Sequence, residues 1–106
     1  MTEINPENGL VTLINVFAVA PSDQQKLIDL LIDATEQVMR NQPGYVSANL
    51  HKSDDGTKVV NYAQWRTRAD FQAMLRNESA GEHMRRAAAL ASIEPQLYEV
   101  VYSDQV

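Results

Sequence analysis

The order of apolar and polar positions along the chain predicts alternating strands and helices. Residues 10–19 are almost wholly apolar and rich in β-branched side chains, with Asn15 as an interruption, which is typical of a strand covered on both faces. A helix follows, and Ser22 with Gln25 forms a capping-box pattern at its start. The apolar positions of this helix recur at helical spacing: Leu27, Leu30, Leu31, Ala34 and Val38.

A predicted hairpin supplies the next two strands. Proline and glycine at 41–44 end the helix, and a half-polar alternation starts near Tyr45. The turn sequence Ser-Asp-Asp-Gly at 53–56 leads into a strand over residues 57–66. Because strand side chains alternate, four residues of this strand project together into what we expect to be a buried face: Val59, Asn61, Ala63 and Trp65.

The last third of the chain predicts a broken helix and a final strand. Thr67 and Asp70 form an N-cap pattern, residues 77–81 break or kink the helix, and it resumes near His83. Pro95 is predicted to stop it before a last strand over residues 97–102. The order βαββαβ predicts an α+β fold of ferredoxin-like type, a four-stranded antiparallel sheet with helices on one face, formed by a single domain over residues 1–106.

The strand order predicts which side chains meet and which face stays open. Right-handed crossovers place the first and third strands side by side, so Asn15 and Asn61 should be neighbours. Leu10, Ile14 and Val16 point to the side away from the helices, and this side also needs apolar cover. We therefore expect an identical partner packed against it in a two-fold homodimer.

Composition and charge exclude several functions. The chain has no apolar run of eighteen residues and no secretion signal at its start, so we expect a cytoplasmic protein without membrane contact. The absence of cysteine excludes disulfides, thiolate nucleophiles and sulfur-ligated metals. A net charge of −5 repels phosphate backbones and argues against nucleic-acid binding.

The remaining polar motifs give no metal or phosphate site. His51 and His83 have no nearby acidic cluster that would complete a ligand set, so we expect His83 on the surface and assign no metal. No serine lies in a nucleophile-elbow context and no glycine-rich phosphate loop is present. Hydrolase and nucleotide-binding functions are therefore not predicted.

A buried amide needs an explanation, because it costs roughly 1–3 kcal/mol unless it finds hydrogen-bond partners. A single strand asparagine usually bonds to neighbouring backbone, whereas Asn15 and Asn61 would share one face of two adjacent strands. Taken singly, a tryptophan such as Trp65 is more often a core residue than a stacking platform. An arginine beside another, as Arg85 is beside Arg86, more often belongs to a solvated helix face.

Two segments resemble the antibiotic-biosynthesis monooxygenase family: Gln-Pro-Gly-Tyr-Val-Ser-Ala-Asn-Leu-His at 42–51 and Asp-Gly-Thr-Lys-Val-Val-Asn-Tyr-Ala-Gln-Trp at 55–65. The resemblance covers nearly the whole chain and is strongest to the quinone-forming branch. It implies a dimeric α+β barrel. It also implies oxidation of a flat aromatic polyketide anthrone or phenol to a quinone with molecular oxygen, without metal, flavin or haem.

The resemblance also implies site residues. The strand asparagine and tryptophan of the family fall on Asn61 and Trp65, and a helical arginine falls on Arg85, while Asn15 matches only some members. Asn61 and Asn15 would hydrogen-bond a developing oxyanion, Trp65 would stack on the substrate, and Arg85 would anchor a carboxylate or offset negative charge. We expect four apolar residues to line the substrate cavity: Phe17, Met74, Leu75, and Phe71, which stands where some members have a tyrosine.

Two other functions occur with folds of this type or fit its pattern. A haem-degrading oxygenase of similar fold requires a helical histidine shortly after the tryptophan, and residues 71–76 contain none. A non-catalytic, dimeric accessory domain that binds a small ligand is also compatible with the pattern, because a fold alone does not specify an activity.

Overall fold

Four strands form one antiparallel sheet in the computed structural model, which describes residues 1–106. The strands are β1 Val11–Val19, β2 Tyr45–Lys52, β3 Lys58–Trp65 and β4 Ala91–Tyr98, and the helices are α1 Gln24–Gln37, α2 Arg68–Leu75 and α3 Glu78–Ala88. The sheet order is β2-β3-β1-β4, so β1 and β3 are central. The predicted ferredoxin-like α+β fold is confirmed.

The β2–β3 hairpin closes through its turn residues. Gly56 has φ +80°, a conformation that residues other than glycine rarely adopt. The Oδ1 atom of Asp55 accepts hydrogen bonds from Thr57 Oγ1 at 2.7 Å, from the Thr57 backbone N–H at 2.9 Å and from Ser53 Oγ at 2.8 Å. The bond from the Thr57 hydroxyl, and then the other two, lower the pKa of Asp55 from 3.8 to about 2.

Helix caps divide the second helical region into two helices. Thr67 Oγ1 accepts from the backbone N–H of Asp70 at 3.0 Å, and Asn77 Oδ1 accepts from that of Ala80 at 3.0 Å. The predicted break therefore lies at Asn77. The predicted Ser22 capping box is wrong, because residues 21–23 form a 3-10 turn and no side chain caps α1.

The final strand lies earlier than the sequence pattern predicts. β4 spans Ala91–Tyr98, whereas the prediction placed a strand over residues 97–102 and treated Pro95 as a helix stop. Pro95 instead pairs with Asn15 in the middle of β4. The edge position of β4 explains this, because an edge strand tolerates a residue without an N–H.

The core lies between the sheet and the helices, in two adjacent clusters. One cluster is built around Trp65 and Phe71, and the other around Phe17, Leu27 and Val59. The β3 face predicted to be buried is indeed buried at Val59, Ala63 and Trp65, whose exposed fractions are 0%, 3% and 2%.

The outer face of the sheet is partly covered by the beginning of the chain. Gln64 Nε2 donates to the backbone oxygen of Glu3 at 2.7 Å, and Asn49 Nδ2 donates to Thr2 Oγ1 at 2.6 Å. Side chains in the centre of this face, such as Val16 and Tyr62, remain half-buried. None of the helices combines the length and the apolar character needed to cross a membrane.

Candidate active site

A cavity of about 400 Å³ lies between the central strands and the helices. Of the 20 residues that line it, 14 are hydrophobic, as expected of a small-molecule site of ordinary size. The sheet contributes Leu13, Asn15, Phe17, Tyr45, Ala48, Asn61, Ala63, Trp65, Pro95, Gln96 and Leu97. The helices and the turn after α1 contribute Leu31, Ala34, Thr35, Met39, Arg68, Phe71, Met74, Leu75 and Met84.

Asn15 and Asn61 are direct partners in the β1–β3 register, and both line the cavity. Their Oδ1 atoms are buried, and neither has a hydrogen-bond partner within the chain. The prediction that the two residues are neighbours is therefore confirmed. A buried strand asparagine is usually explained by hydrogen bonds to adjacent backbone. The Oδ1 atoms of Asn15 and Asn61 form no such bond.

Trp65, which lines the same cavity, carries a third buried polar atom without a partner. Its side chain is fully buried, and its Nε1 has no acceptor within the chain. Phe71 and Tyr45 hold the indole with T-shaped contacts, at centroid distances of 6.0 and 5.8 Å. These three atoms are the only buried side-chain nitrogen or oxygen atoms of the chain without a partner, and all belong to residues that line one cavity.

The structure places all four predicted lining residues at this cavity, but not Arg85, the arginine predicted to offset negative charge or anchor a carboxylate. Phe17, Phe71, Met74 and Leu75 all belong to the lining. Arg85 is exposed on α3 and does not line the cavity, because Met84, the residue before it, occupies the inward position of the helix. The cation that does line the cavity is Arg68 at the start of α2.

Tyr45 is a cavity residue that the sequence pattern did not identify. The alternation in β2 predicts Val46, Ala48 and Leu50 on the inner face, which would leave Tyr45 outside. An irregularity between Tyr45 and Ser47 shifts the register, and Tyr45 thereby reaches the cavity together with Ala48. Burial raises the pKa of the Tyr45 phenol, and the positive charge of Arg40, which lowers this pKa, is the smaller effect. The hydroxyl is therefore protonated at neutral pH.

His83 is more buried than predicted and lies outside the cavity. Its side chain is 14% exposed, and its Nε2 lies 3.2 Å from Oδ2 of Asp33 on α1. Its Nδ1 lies 2.9 Å from the backbone oxygen of Ser79. No three histidine, aspartate or glutamate side chains come together in an arrangement that would hold a metal ion.

Fold and cavity together define a ferredoxin-like domain with a largely apolar cavity between sheet and helices, of a size suited to a small molecule. Residues 10–90 match the family described as antibiotic biosynthesis monooxygenase, and the chain belongs to this family. It is 45% identical over 103 residues to tetracenomycin-F1 monooxygenase of Streptomyces glaucescens, an alignment that covers 97% of this chain and 92% of that protein.

Solved structures agree with this assignment. SnoaB, a cofactor-independent oxygenase from Streptomyces nogalater, is 26% identical with a TM-score of 0.75, over 90% of this chain and 96% of that one. A monooxygenase from the ActVA-Orf6 gene of Streptomyces coelicolor, solved in complex with nanaomycin D, is 27% identical with a TM-score of 0.78, over 96% of each chain. The predicted family and the predicted monooxygenase class are confirmed.

Proposed function

We propose that this chain is a cofactor-independent monooxygenase that oxidises an aromatic polyketide-type anthrone or phenol to a quinone with molecular oxygen. The single observation that carries the proposal is the set of three buried, unpartnered polar atoms on Asn15, Asn61 and Trp65, three residues that line one largely apolar cavity. Such atoms destabilise the fold unless a ligand completes them. The substrate class is supported by two relatives, one named for tetracenomycin F1 and one solved in complex with nanaomycin D.

The first step is loss of a proton from the substrate. An anthrone has an acidic C–H group because the resulting anion is delocalised into the rings, and its negative charge collects on the carbonyl oxygen. Hydrogen bonds donated by the Nδ2–H groups of Asn15 and Asn61 and by Trp65 Nε1–H stabilise this oxyanion more than the neutral ketone, while the unpartnered Oδ1 atoms accept from hydroxyl groups of the substrate. The lining contains no carboxylate and no imidazole, so we assign the proton to water or to a phenolate of the substrate.

The second step is the reaction with oxygen. The electron-rich anion transfers one electron to O₂, and the substrate radical and superoxide then combine to form a carbon–oxygen bond. Protonation gives a hydroperoxide, and loss of water from it leaves the new quinone carbonyl. One oxygen atom enters the product and the other leaves as water, so the substrate itself supplies the electrons. The apolar walls protect the anion and the radical from water.

Oxygen consumption with dithranol in the presence of a metal chelator tests this function. We expect one O₂ consumed per dithranol, and much slower consumption by Asn61→Ala and Trp65→Phe than by the wild type. Gln72→Ala, at an exposed position of α2 outside the cavity, is the matched control and should retain the full rate. Equal rates in all four proteins would refute the proposed site, and tight binding of the quinone without turnover would instead support an accessory binding domain.

We also propose that the protein acts as a homodimer in the cytoplasm. The dimer is supported by the outer sheet face, where Val16 and Val60 are paired across β1 and β3 and the chain's own first residues cover only part of the surface. Burial of this apolar area is the driving force for association. The absence of cysteine fits a reducing compartment.

A further inference from the structure

Arg68 is the only charged residue among the 20 residues that line the cavity. It also forms no ion pair, since the ion pairs of the chain join Lys26 to Asp23 and His83 to Asp33. Its guanidinium group therefore remains available, in a chain where fourteen acidic residues outnumber nine basic ones.

The position of Arg68 gives the fold no evident benefit. It is the first residue of α2, and the partial positive charge at a helix N-terminus opposes a cation there. Arg68 also borders a second pocket of about 210 Å³, formed by residues near the chain start and the end of β4, where Glu99 is the other charged residue. No hydrogen bond or ion pair joins Arg68 to that glutamate, so a ligand anion is a suitable partner for it.

We propose that Arg68 binds a carboxylate on the polycyclic substrate while the reacting ring lies against Asn15, Asn61 and Trp65. This inference rests on the proposed function and specifies its substrate class as acidic aromatic polyketides. A guanidinium group binds a carboxylate through two parallel hydrogen bonds, which orients a flat molecule as well as retaining it. The role that the resemblance implied for Arg85 thus belongs to Arg68, the arginine that borders the cavity.

Fluorescence of Trp65, the only tryptophan of the chain, gives a direct measure of binding in the cavity. The probes are anthraquinone-2-carboxylate and the neutral anthraquinone-2-carboxamide, which have nearly the same shape. Since exposed ion pairs contribute modestly, we expect the wild type to bind the carboxylate about threefold to fivefold more tightly at low ionic strength. Added salt should reduce this preference.

The variants separate the candidate arginines. Arg68→Gln should bind both probes equally, and Arg68→Lys should retain part of the preference. Arg76→Gln, at the exposed position just after α2, and Arg85→Gln should behave as the wild type does, because neither residue lines the cavity. All three positions named here are exposed arginines, so the four substitutions leave the packed core intact.

The outcomes also separate this inference from the proposed function. Equal binding of both probes by the wild type, a preference that persists in Arg68→Gln, or one that disappears in Arg85→Gln would overturn the role of Arg68 and leave the proposed function intact. If neither probe changes the fluorescence of Trp65, the cavity does not hold a flat polycycle, and both proposals fail.

Discussion

Asn15 of β1 and Asn61 of β3 face each other across the two central strands, and both amide oxygens are buried without a partner in the chain. A fold selected for stability alone would place apolar side chains at these positions, since an unpaired buried amide costs free energy. The pair therefore marks a place where stability is lower than it could be, and function is the explanation we propose.

The first prediction concerns replacement of Asn61 by an apolar residue of similar size. Asn61→Val should raise the free energy of unfolding by about 1 kcal/mol, because it removes an unsatisfied amide. It should also lower the rate of dithranol oxidation by at least about tenfold, because one oxyanion hydrogen bond is lost. Urea denaturation and oxygen consumption measure the two effects.

The matched control is Asn49→Val on the neighbouring strand β2. The Nδ2 atom of Asn49 donates to Tyr62 O at 3.0 Å and to Thr2 Oγ1 at 2.6 Å. Loss of these bonds should lower the free energy of unfolding by about 1 kcal/mol and leave the oxidation rate unchanged. A destabilised Asn61→Val protein with full activity would show that Asn61 is an ordinary core residue.

The second prediction concerns the indole N–H of Trp65. Trp65→Phe keeps an aromatic ring between Phe71 and Tyr45 but removes the Nε1 donor, so kcat for dithranol should fall about tenfold while KM changes little. The control is Tyr102→Phe, which removes a hydroxyl from an exposed ring outside the cavity and should leave kcat unchanged. A Trp65→Phe enzyme with unchanged kcat would remove the indole N–H from the mechanism.

The central part of the site could be predicted from the sequence. Alternation along a strand fixes which side chains share a face, and the handedness of crossovers fixes that β1 lies beside β3. These two rules suffice to bring Asn15, Asn61 and Trp65 together. Both rules are local or topological, and neither depends on the details of packing.

The border of the site could not be predicted in this way. Tyr45 reaches the cavity through a register irregularity in β2 that alternation does not reveal. On α3, consecutive side chains point in different directions around the helix axis, so Met84 lines the cavity and Arg85 does not. The sequence pattern places Pro95 at a helix end, because the edge position of β4, which allows a proline in a strand, is a property of the assembled sheet.

The third prediction concerns the homodimer. Val16 and Val60 are cross-strand partners on the outer face of the sheet, so a charge at this position would have to be buried in the proposed interface. Val60→Glu should therefore give a monomer in multi-angle light scattering, whereas Gln72→Glu, at an exposed position of α2, should remain a dimer. A wild-type protein that is monomeric at all concentrations would contradict the proposed assembly.

The fourth prediction concerns acid stability. Hydrogen bonds in the β2–β3 turn, led by that from the Thr57 hydroxyl, lower the pKa of Asp55 from 3.8 to about 2. A carboxylate whose pKa is lower in the folded than in the unfolded state stabilises the fold at pH values above the unfolded pKa, and this contribution is lost as the pH falls through the folded pKa.

The wild type should therefore melt at a higher temperature than Asp55→Asn near pH 6. The difference should shrink from about pH 4 downward, as the pH approaches the folded-state pKa of about 2, and only below that pKa are both side chains neutral. Asp54→Asn, one residue earlier in the same exposed turn, should show no such convergence, because Asp54 accepts none of these three hydrogen bonds. Thermal melts followed by circular dichroism across this pH range measure the effect, and a constant difference between the wild type and Asp55→Asn would show that the charge of Asp55 does not stabilise the turn.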